Sequence, residues 1–126
     1  MNLSGMRSSF YNYVLEEVAT YQDDYQVVKA GFLERLVVKS LSPEDMHPNP
    51  EDEFVSETIG PNDEIINSYV RQIPMLQRCE KPIFTEPIMV EKMLPKGYLI
   101  LNGHHRWAAA LMTGLSKVSA KIVNPS

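Results

Sequence analysis

The stretch LILNGHHRWAAALMTG, residues 99–114, most constrains the fold, because it joins a β-type apolar run directly to a helix with a polar start. Gly103 separates the two, and a residue without a Cβ lets the chain turn sharply and approach a bound group closely. The helix that follows directs its unpaired amides and the positive end of its dipole at the turn. Arginine and histidine side chains add donors there. The stretch therefore predicts an anion site, with phosphate as the expected anion, at Asn102, Gly103, His104, His105 and Arg106.

The alternative for this stretch is a solvated helix start. In that interpretation His104 and His105 contact only water, and Arg106 forms a surface ion pair. A short polar run after a glycine is by itself a weak signal. The histidines also carry a pH expectation: a bound phosphate favours imidazolium, so anion affinity should rise as the pH falls through the histidine range.

Apolar and aromatic residues recur at steps of three and four near the N-terminus, which predicts an amphipathic helix over residues 8–29. Gly31 follows as a C-terminal stop. The stripe consists of Phe10, Tyr13, Val14, Val18, Tyr21, Tyr25 and Val28. Such a stripe usually packs on the core of its own chain. Because four of these seven residues are aromatic, the alternative is a helix through which two copies form a homodimer.

The remaining elements follow from periodicity and turn residues. Residues 32–43, FLERLVVKSLSP, alternate and predict a strand that ends near Pro43. Residues 44–63 contain three prolines and seven acidic residues without periodicity, which predicts a long loop with at most one short helical turn. Asn62 is expected to cap a helix that ends at Pro74. Further along, the patterns predict a hairpin over 87–102, a helix over 104–113 closed by Gly114, and a strand over 118–123.

Bulk composition bounds the class of protein. The chain has 126 residues, of which 44% are hydrophobic, and this size predicts one globular domain with a useful core. A net charge of -4 disfavours binding to a nucleic-acid backbone. Cys79 is the single cysteine, so no internal disulfide forms and a reducing, cytoplasmic location is expected. The apolar runs are too short for a membrane span, and the N-terminus lacks the apolar segment of a secretory signal.

Residues 82–123, PIFTEPIMVEKMLPKGYLILNGHHRWAAALMTGLSKVSAKIV, resemble the ParB/sulfiredoxin superfamily. Its core pattern is a hairpin reading roughly P-I-x-V … G-Y-x-I-x-D/N-G-x-x-R, then an alanine-rich helix, a glycine and a closing strand. Upstream, LVVKSLSP resembles the first strand, HPNP the first box of the partition proteins, and EIINSYVRQI the intervening helix. The resemblance covers about residues 33–123. It implies an α/β (α+β) fold in which flanking helices cover a mixed sheet.

The resemblance also implies the domain limits and the ligand. Residues 1–31 are expected to form an N-terminal helical extension, and residues 32–126 the ParB/sulfiredoxin-like domain. Members of the superfamily bind nucleotides, with phosphates seated where the Gly-x-x-Arg turn meets its helix. They include CTP-binding partition proteins, ATP-dependent sulfinic acid reductases and ADP-dependent serine kinases. The expected ligand is therefore ATP, ADP or CTP with Mg²⁺, and the phosphates should lie against Gly103, His104, His105 and Arg106.

Departures from the family pattern exclude some activities. His104 stands where sulfiredoxins carry their nucleophilic cysteine, so sulfinic acid reduction by that mechanism is not expected. Cys79 lies at a different point of the pattern and is interpreted as a buried or incidental thiol. Partition proteins usually have Gly-Glu-Arg-Arg at the turn and continue into further domains, so a complete partition factor is not expected unless this chain is a fragment. Acidic residues 51–53 replace the Gln and Arg that usually follow Asn-Pro in the first box.

The acidic loop suggests phosphoryl transfer or NTP hydrolysis. Carboxylates can accept a hydroxyl proton or hold Mg²⁺, and Asp52 and Glu53 are the candidate catalytic residues. The alternative is a solvated acidic loop. Two rival functions remain. One is a non-enzymatic interaction or partition-related module with a vestigial pocket. The other is a ParB-like nuclease with His104 and His105 as metal ligands, although neighbours on a helix point about 100° apart and chelate one ion poorly.

Overall fold

The computed structural model of the protein describes residues 3–21, 25–78 and 86–125. Cys79 lies outside these residues. Within them the helices are α1 (Leu3–Tyr21), α2 (Phe32–Leu36), α3 (Asp63–Arg78) and α4 (His104–Thr113). The strands are β1 (Gln26–Val28), β2 (Lys39–Leu41), β3 (Met46–His47), β4 (Ile88–Leu94), β5 (Tyr98–Asn102) and β6 (Val118–Val123). Two 3₁₀ turns, Pro43–Asp45 and Glu53–Val55, lie between β2 and α3.

The strands form one mixed sheet in the order β2-β6-β4-β5-β3, and β1 pairs with the far end of β4. The predicted hairpin is confirmed as the antiparallel pair β4–β5, whereas β6 and β3 run parallel to their neighbours β4 and β5. The pairing of β4 with β5 shifts register between Met89 and Val90, just before the turn that follows Asn102. Register shifts of this kind bend a strand and redirect its end, and they often lie beside functional sites.

Small residues bring α4 close to the sheet. The strand residues Val90, Ile100 and Ile122 stand opposite one another and are fully buried. Residues 108–110 of α4 are alanines with no exposed surface, which lets the helix backbone approach the sheet. Helix α3 packs against α4. The predicted α/β fold with a mixed sheet and flanking helices is confirmed, as are α4, its closing residue Gly114 and strand β6.

Three predictions in the N-terminal third are wrong. The helix predicted over residues 8–29 ends at Tyr21, and Tyr25 and Val28 belong to the segment that contains β1. Residues 22–24 lie outside the described residues. The β-branched pair at 27–28 finds ladder partners on β4, and this tertiary pairing overrides the helical periodicity. The stripe residues that do lie on α1 include Val14, Val18 and Tyr21, and all three are buried against the rest of the chain.

The strand predicted over residues 32–43 is also wrong in its first half, which forms the short helix α2. The prediction that Gly31 ends the N-terminal helix is also wrong, because Gly31 is the N-cap of α2. Its N–H donates to the Glu34 carboxylate at 3.0 Å, and this contact closes the helix start. Only Lys39–Leu41 pairs as a strand, antiparallel to β6. The loop predicted over residues 44–63 contains more structure than expected, because it includes β3 and both 3₁₀ turns in full or in part.

Helix α3 begins as predicted but does not stop at Pro74. The Asn62 carboxamide oxygen accepts the Ile65 N–H at 3.1 Å, which confirms the predicted cap. The helix then continues through Pro74 to Arg78. A proline inside a helix removes one backbone hydrogen bond, and the neighbouring Ile73, which is 1% exposed, anchors this part of the helix in the core.

Candidate functional site

The turn between β5 and α4 requires a glycine. Gly103 has φ +106°, in the left-handed region that favours glycine. A Cβ on Gly103 would lie 2.9 Å from Arg106 Nη2 and 3.1 Å from Ile88 Cγ1. The first bond of the new helix runs from the Trp107 N–H to the Gly103 carbonyl at 2.9 Å. The amides of residues 104–106 precede that bond, and a helix supplies no carbonyl to such amides.

A cleft of about 160 Å³ opens at this turn. Its lining includes all five residues predicted for phosphate binding, 102–106, so the structure brings them together. Ile65 and Tyr69, one turn apart on α3, form the opposite wall. Ile65 and Tyr69 recur at the helical spacing of α3. Their spacing gave no signal for a site, because a residue at the edge of an apolar stripe has the same periodicity as a buried one.

The His104 imidazole is buried, with 4% of its surface exposed. Its Nε2 accepts the Asn49 N–H at 3.1 Å, so the neutral ring carries its proton on Nδ1. Asp52 Oδ2 lies 3.6 Å from that Nδ1. Burial lowers the pKa of His104 to about 4, even though the Asp52 carboxylate acts to raise it. At neutral pH the ring is therefore neutral.

The His105 imidazole has a similar role towards a second segment. Its Nε2 accepts the Asn62 N–H at 3.0 Å, next to the cap of α3. Partial burial lowers its pKa as well. The two rings thus tie the start of α4 to two loops, at Asn49 and at Asn62. Sequence analysis predicted the histidines as donors to a ligand, whereas in this structure both Nε2 atoms accept from the backbone.

The Arg106 guanidinium is 8% exposed and bridges two strand ends. Nη1 donates to the Glu86 carbonyl at 2.5 Å, and Nη2 donates to Asn102 Oδ1 at 2.8 Å. The segment that enters β4 is thereby fastened to the end of β5. Charge-assisted bonds of this kind hold the turn in one conformation.

The Phe54 ring supports both imidazoles. It is 2% exposed, and its centroid lies 5.2 Å from that of His104 and 5.1 Å from that of His105. Trp107 lies edge-on at 6.2 Å. Sequence analysis did not single out Phe54, because an aromatic residue in an acidic loop without periodicity indicates no particular partner.

The two catalytic candidates lie beside the cleft and do not line it. Asp52 Oδ2 accepts the Phe54 N–H at 2.9 Å and so caps the 3₁₀ turn Glu53–Val55. Glu53 has an exposed side chain, and its carbonyl accepts the amides of Ser56 and Gly60. Among the described residues, no three His, Cys, Asp or Glu side chains cluster in a way that would hold a metal ion.

Comparison with known proteins identifies the family. The model of the ParB N-terminal domain matches residues 33–126. The chain belongs to the ParB N-terminal domain family. No curated protein matched the chain. Over the ranges that the structure describes, no helix of this ParB N-terminal domain combines the length and the apolar character needed to cross a membrane.

Solved structures share the fold of this ParB N-terminal domain. One is sulfiredoxin from Arabidopsis thaliana, with a TM-score of 0.51, 17% identity, and cover of 71% of this chain and 86% of that one. Another is the C-terminally truncated chromosome-partitioning protein ParB from Caulobacter crescentus with CTP-γ-S, with a TM-score of 0.55, 20% identity, and cover of 71% and 46%. A third is a free serine kinase with AMP, with a TM-score of 0.50, 19% identity, and cover of 79% and 34%. The chain thus spans less than half of the latter two proteins.

Proposed function

We propose that this domain binds a nucleotide, or another phosphate-bearing small molecule, at the turn formed by residues 102–106. The observation that carries the proposal is the cleft at the start of α4, whose lining includes the left-handed glycine and the first three residues of the helix. The fold neighbours that bind a CTP analogue and AMP support the ligand class.

Backbone amides would supply the main contacts to the phosphate. The N–H groups of His104, His105 and Arg106 open α4, and the positive end of the helix dipole favours an anion there. The imidazoles contribute by holding the segments around Asn49 and Asn62 at the sides of the cleft. Arg106 holds the turn itself and adds a fixed positive charge.

The size of the cleft limits what it encloses. About 160 Å³ accommodates a phosphate group, whereas sites that enclose a whole drug-sized ligand measure about 300–1,000 Å³. The nucleoside would therefore extend past Ile65 and Tyr69, over the open side. Turnover with Mg²⁺ requires carboxylates at the phosphate, and Asp52 and Glu53 are the candidates for that role. A nuclease that uses both histidines as ligands is the weaker proposal, because each Nε2 already accepts a backbone N–H.

A charge substitution at Ile65 tests the binding site. Ile65 lines the cleft and is 43% exposed, so its replacement leaves the core intact. Ile65→Glu places a negative charge beside the phosphate, and Ile65→Gln is the matched neutral control. Both side chains can accept the same helix-start amides, so the difference between them reports charge. Repulsion of about 1–2 kcal/mol, between the bulk-water and near-surface values for close charges, weakens binding roughly 5- to 30-fold.

The assay is thermal shift followed by calorimetric titration with ATP, ADP, CTP, GTP and inorganic phosphate, each with and without Mg²⁺. A ligand that binds only the folded state raises the melting temperature. We expect at least one nucleotide to stabilise the protein, and Ile65→Glu to bind it more weakly than Ile65→Gln. If no nucleotide stabilises the protein, the function moves to a partner-binding module. If Ile65→Glu and Ile65→Gln bind the nucleotide with equal affinity, the nucleotide binds outside this cleft.

A further inference from the structure

The segment Pro48–Val55 provides both polar contacts of the His104 ring. Asn49 donates its N–H to Nε2 at 3.1 Å, and Asp52 Oδ2 faces Nδ1 at 3.6 Å. The Phe54 ring, in the same segment, lies against both imidazoles at the cleft. The position of this segment therefore affects the orientation of the His104 ring.

Helix α1 fastens the segment at both of its ends. The Tyr21 hydroxyl donates to the Pro48 carbonyl, and the Tyr11 hydroxyl donates to the Val55 carbonyl at 2.8 Å. These two tyrosines are ten positions apart on one helix, so continuous helical backbone joins the contacts at the two ends of the segment.

Two further contacts join α1 to the same region. Phe10 packs edge-on against Phe54, with centroids 6.2 Å apart and an interplanar angle of 79°. Glu17 Oε1 lies 2.7 Å from His47 Nδ1, immediately before Pro48. By contrast, the segment has few backbone bonds of its own, such as those from the Asp52 and Val55 amides to residues three positions earlier. Helix α1 therefore contributes to holding the segment in place, through contacts at both of its ends.

We infer that α1 is a positioning element of the phosphate site, which acts through the hydroxyls of Tyr11 and Tyr21 on the segment Pro48–Val55 and from there on His104. This inference rests on the proposed function as far as the ligand is concerned. Helix α1 ends at Tyr21, before the family match begins at residue 33. The site of this chain is thus completed by a helix outside the matched domain.

The double variant Tyr11→Phe/Tyr21→Phe removes the two hydroxyls and keeps both rings in place. Ile122→Val is the matched control, because it destabilises the core at a fully buried position of β6 that does not itself line the cleft. Urea unfolding first establishes the loss of stability in each variant.

Two readouts then separate the inference from the proposed function. The first needs no ligand: amide hydrogen exchange of Asn49 together with the ¹⁵N shifts of the His104 ring. We expect Asn49 exchange to rise roughly tenfold over the control in the double variant, as the segment opens locally. We also expect the Nδ1-protonated form of His104 to be lost as the dominant tautomer. The second readout is nucleotide affinity, which should fall roughly tenfold in the double variant and stay unchanged in the control.

Each outcome is decisive. If Asn49 exchange and the His104 shifts match those of Ile122→Val at equal stability, the positioning role is refuted, whatever the affinity. If the His104 ring shifts and the Asn49 exchange rate change in the double variant but the native protein binds no nucleotide, the positioning role stands and the proposed function fails. If both respond but affinity is unchanged in the double variant, α1 orients the rings without acting on the ligand, and the inference is overturned.

Discussion

Gly103 is the residue at which backbone strain and side-chain contact can be measured separately. Replacement by alanine forces an L side chain into φ +106°, which costs about 1–2 kcal/mol. The new Cβ would also press on Arg106 Nη2 at 2.9 Å, so the guanidinium must shift away from Asn102. Loss of that charge-assisted bond costs about 1.5–3 kcal/mol more. We expect Gly103→Ala to lower the free energy of unfolding by about 2.5–5 kcal/mol.

Gly114 supplies the control for the backbone contribution. It closes the same helix at φ +71°, and a Cβ there would meet nothing within 4 Å. Gly114→Ala should therefore lower the free energy of unfolding by about 1–2 kcal/mol, which is the cost of placing an L residue in a left-handed backbone conformation. Urea denaturation of both variants gives the difference, about 2 kcal/mol, or roughly 5–10 °C in melting temperature for a domain of this size. Equal losses in the two variants would refute the close contact between Gly103 and Arg106.

Three further predictions concern the side chains at the cleft. Because burial lowers the pKa of His104 to about 4, the unfolded chain takes up a proton below about pH 6.5 before the folded chain does, so His104 makes the protein lose stability as the pH falls. Urea unfolding should show that the free energy of unfolding falls between pH 7 and pH 5 by about 2 kcal/mol more in the native protein than in His104→Gln. The Gln amide oxygen can still accept the Asn49 N–H, so this variant removes only the titrating group. Equal decreases in the two proteins would contradict a buried neutral ring. Because the His104 ring stays neutral between pH 7 and 5.5, it should add nothing to the affinity for sulfate, whose charge is constant in this range; a rise in affinity that His104→Gln abolishes would restore this histidine as a charged ligand. Arg106→Ala should lower the free energy of unfolding by about 2–4 kcal/mol, since it leaves the Glu86 carbonyl and Asn102 without their donor. Arg106→Lys should recover part of that loss in the same denaturation assay. If it recovers none, the result argues against the Arg106 bridge.

The confirmed sequence predictions are those whose signals are local. The hairpin β4–β5, the helix start after Gly103 and the strand β6 each carry their own periodicity and turn residues. The errors arise where distant partners decide the conformation. Val27 and Val28 lie in a strand because residues 92–94 of β4 extend past its pairing with β6, and α3 passes through Pro74 because Ile73 is anchored in the core. No window of sequence contains that information.

The same distinction explains what could be predicted of the site. Residues 102–106 are consecutive, so the turn and the helix start could both be predicted from one stretch, which also carries the proposed anion preference. The contacts that orient its side chains come from positions far apart in the chain: Asn49 is 55 residues from His104, and Asn62 is 43 residues from His105. Those contacts change the chemistry. A histidine at a helix start is expected to donate to an anion, whereas one that accepts a backbone amide, buried against Phe54, stays neutral and positions a loop. The anion preference that we propose for the site therefore rests on the amides of α4 and the charge of Arg106, which the glycine turn brings together.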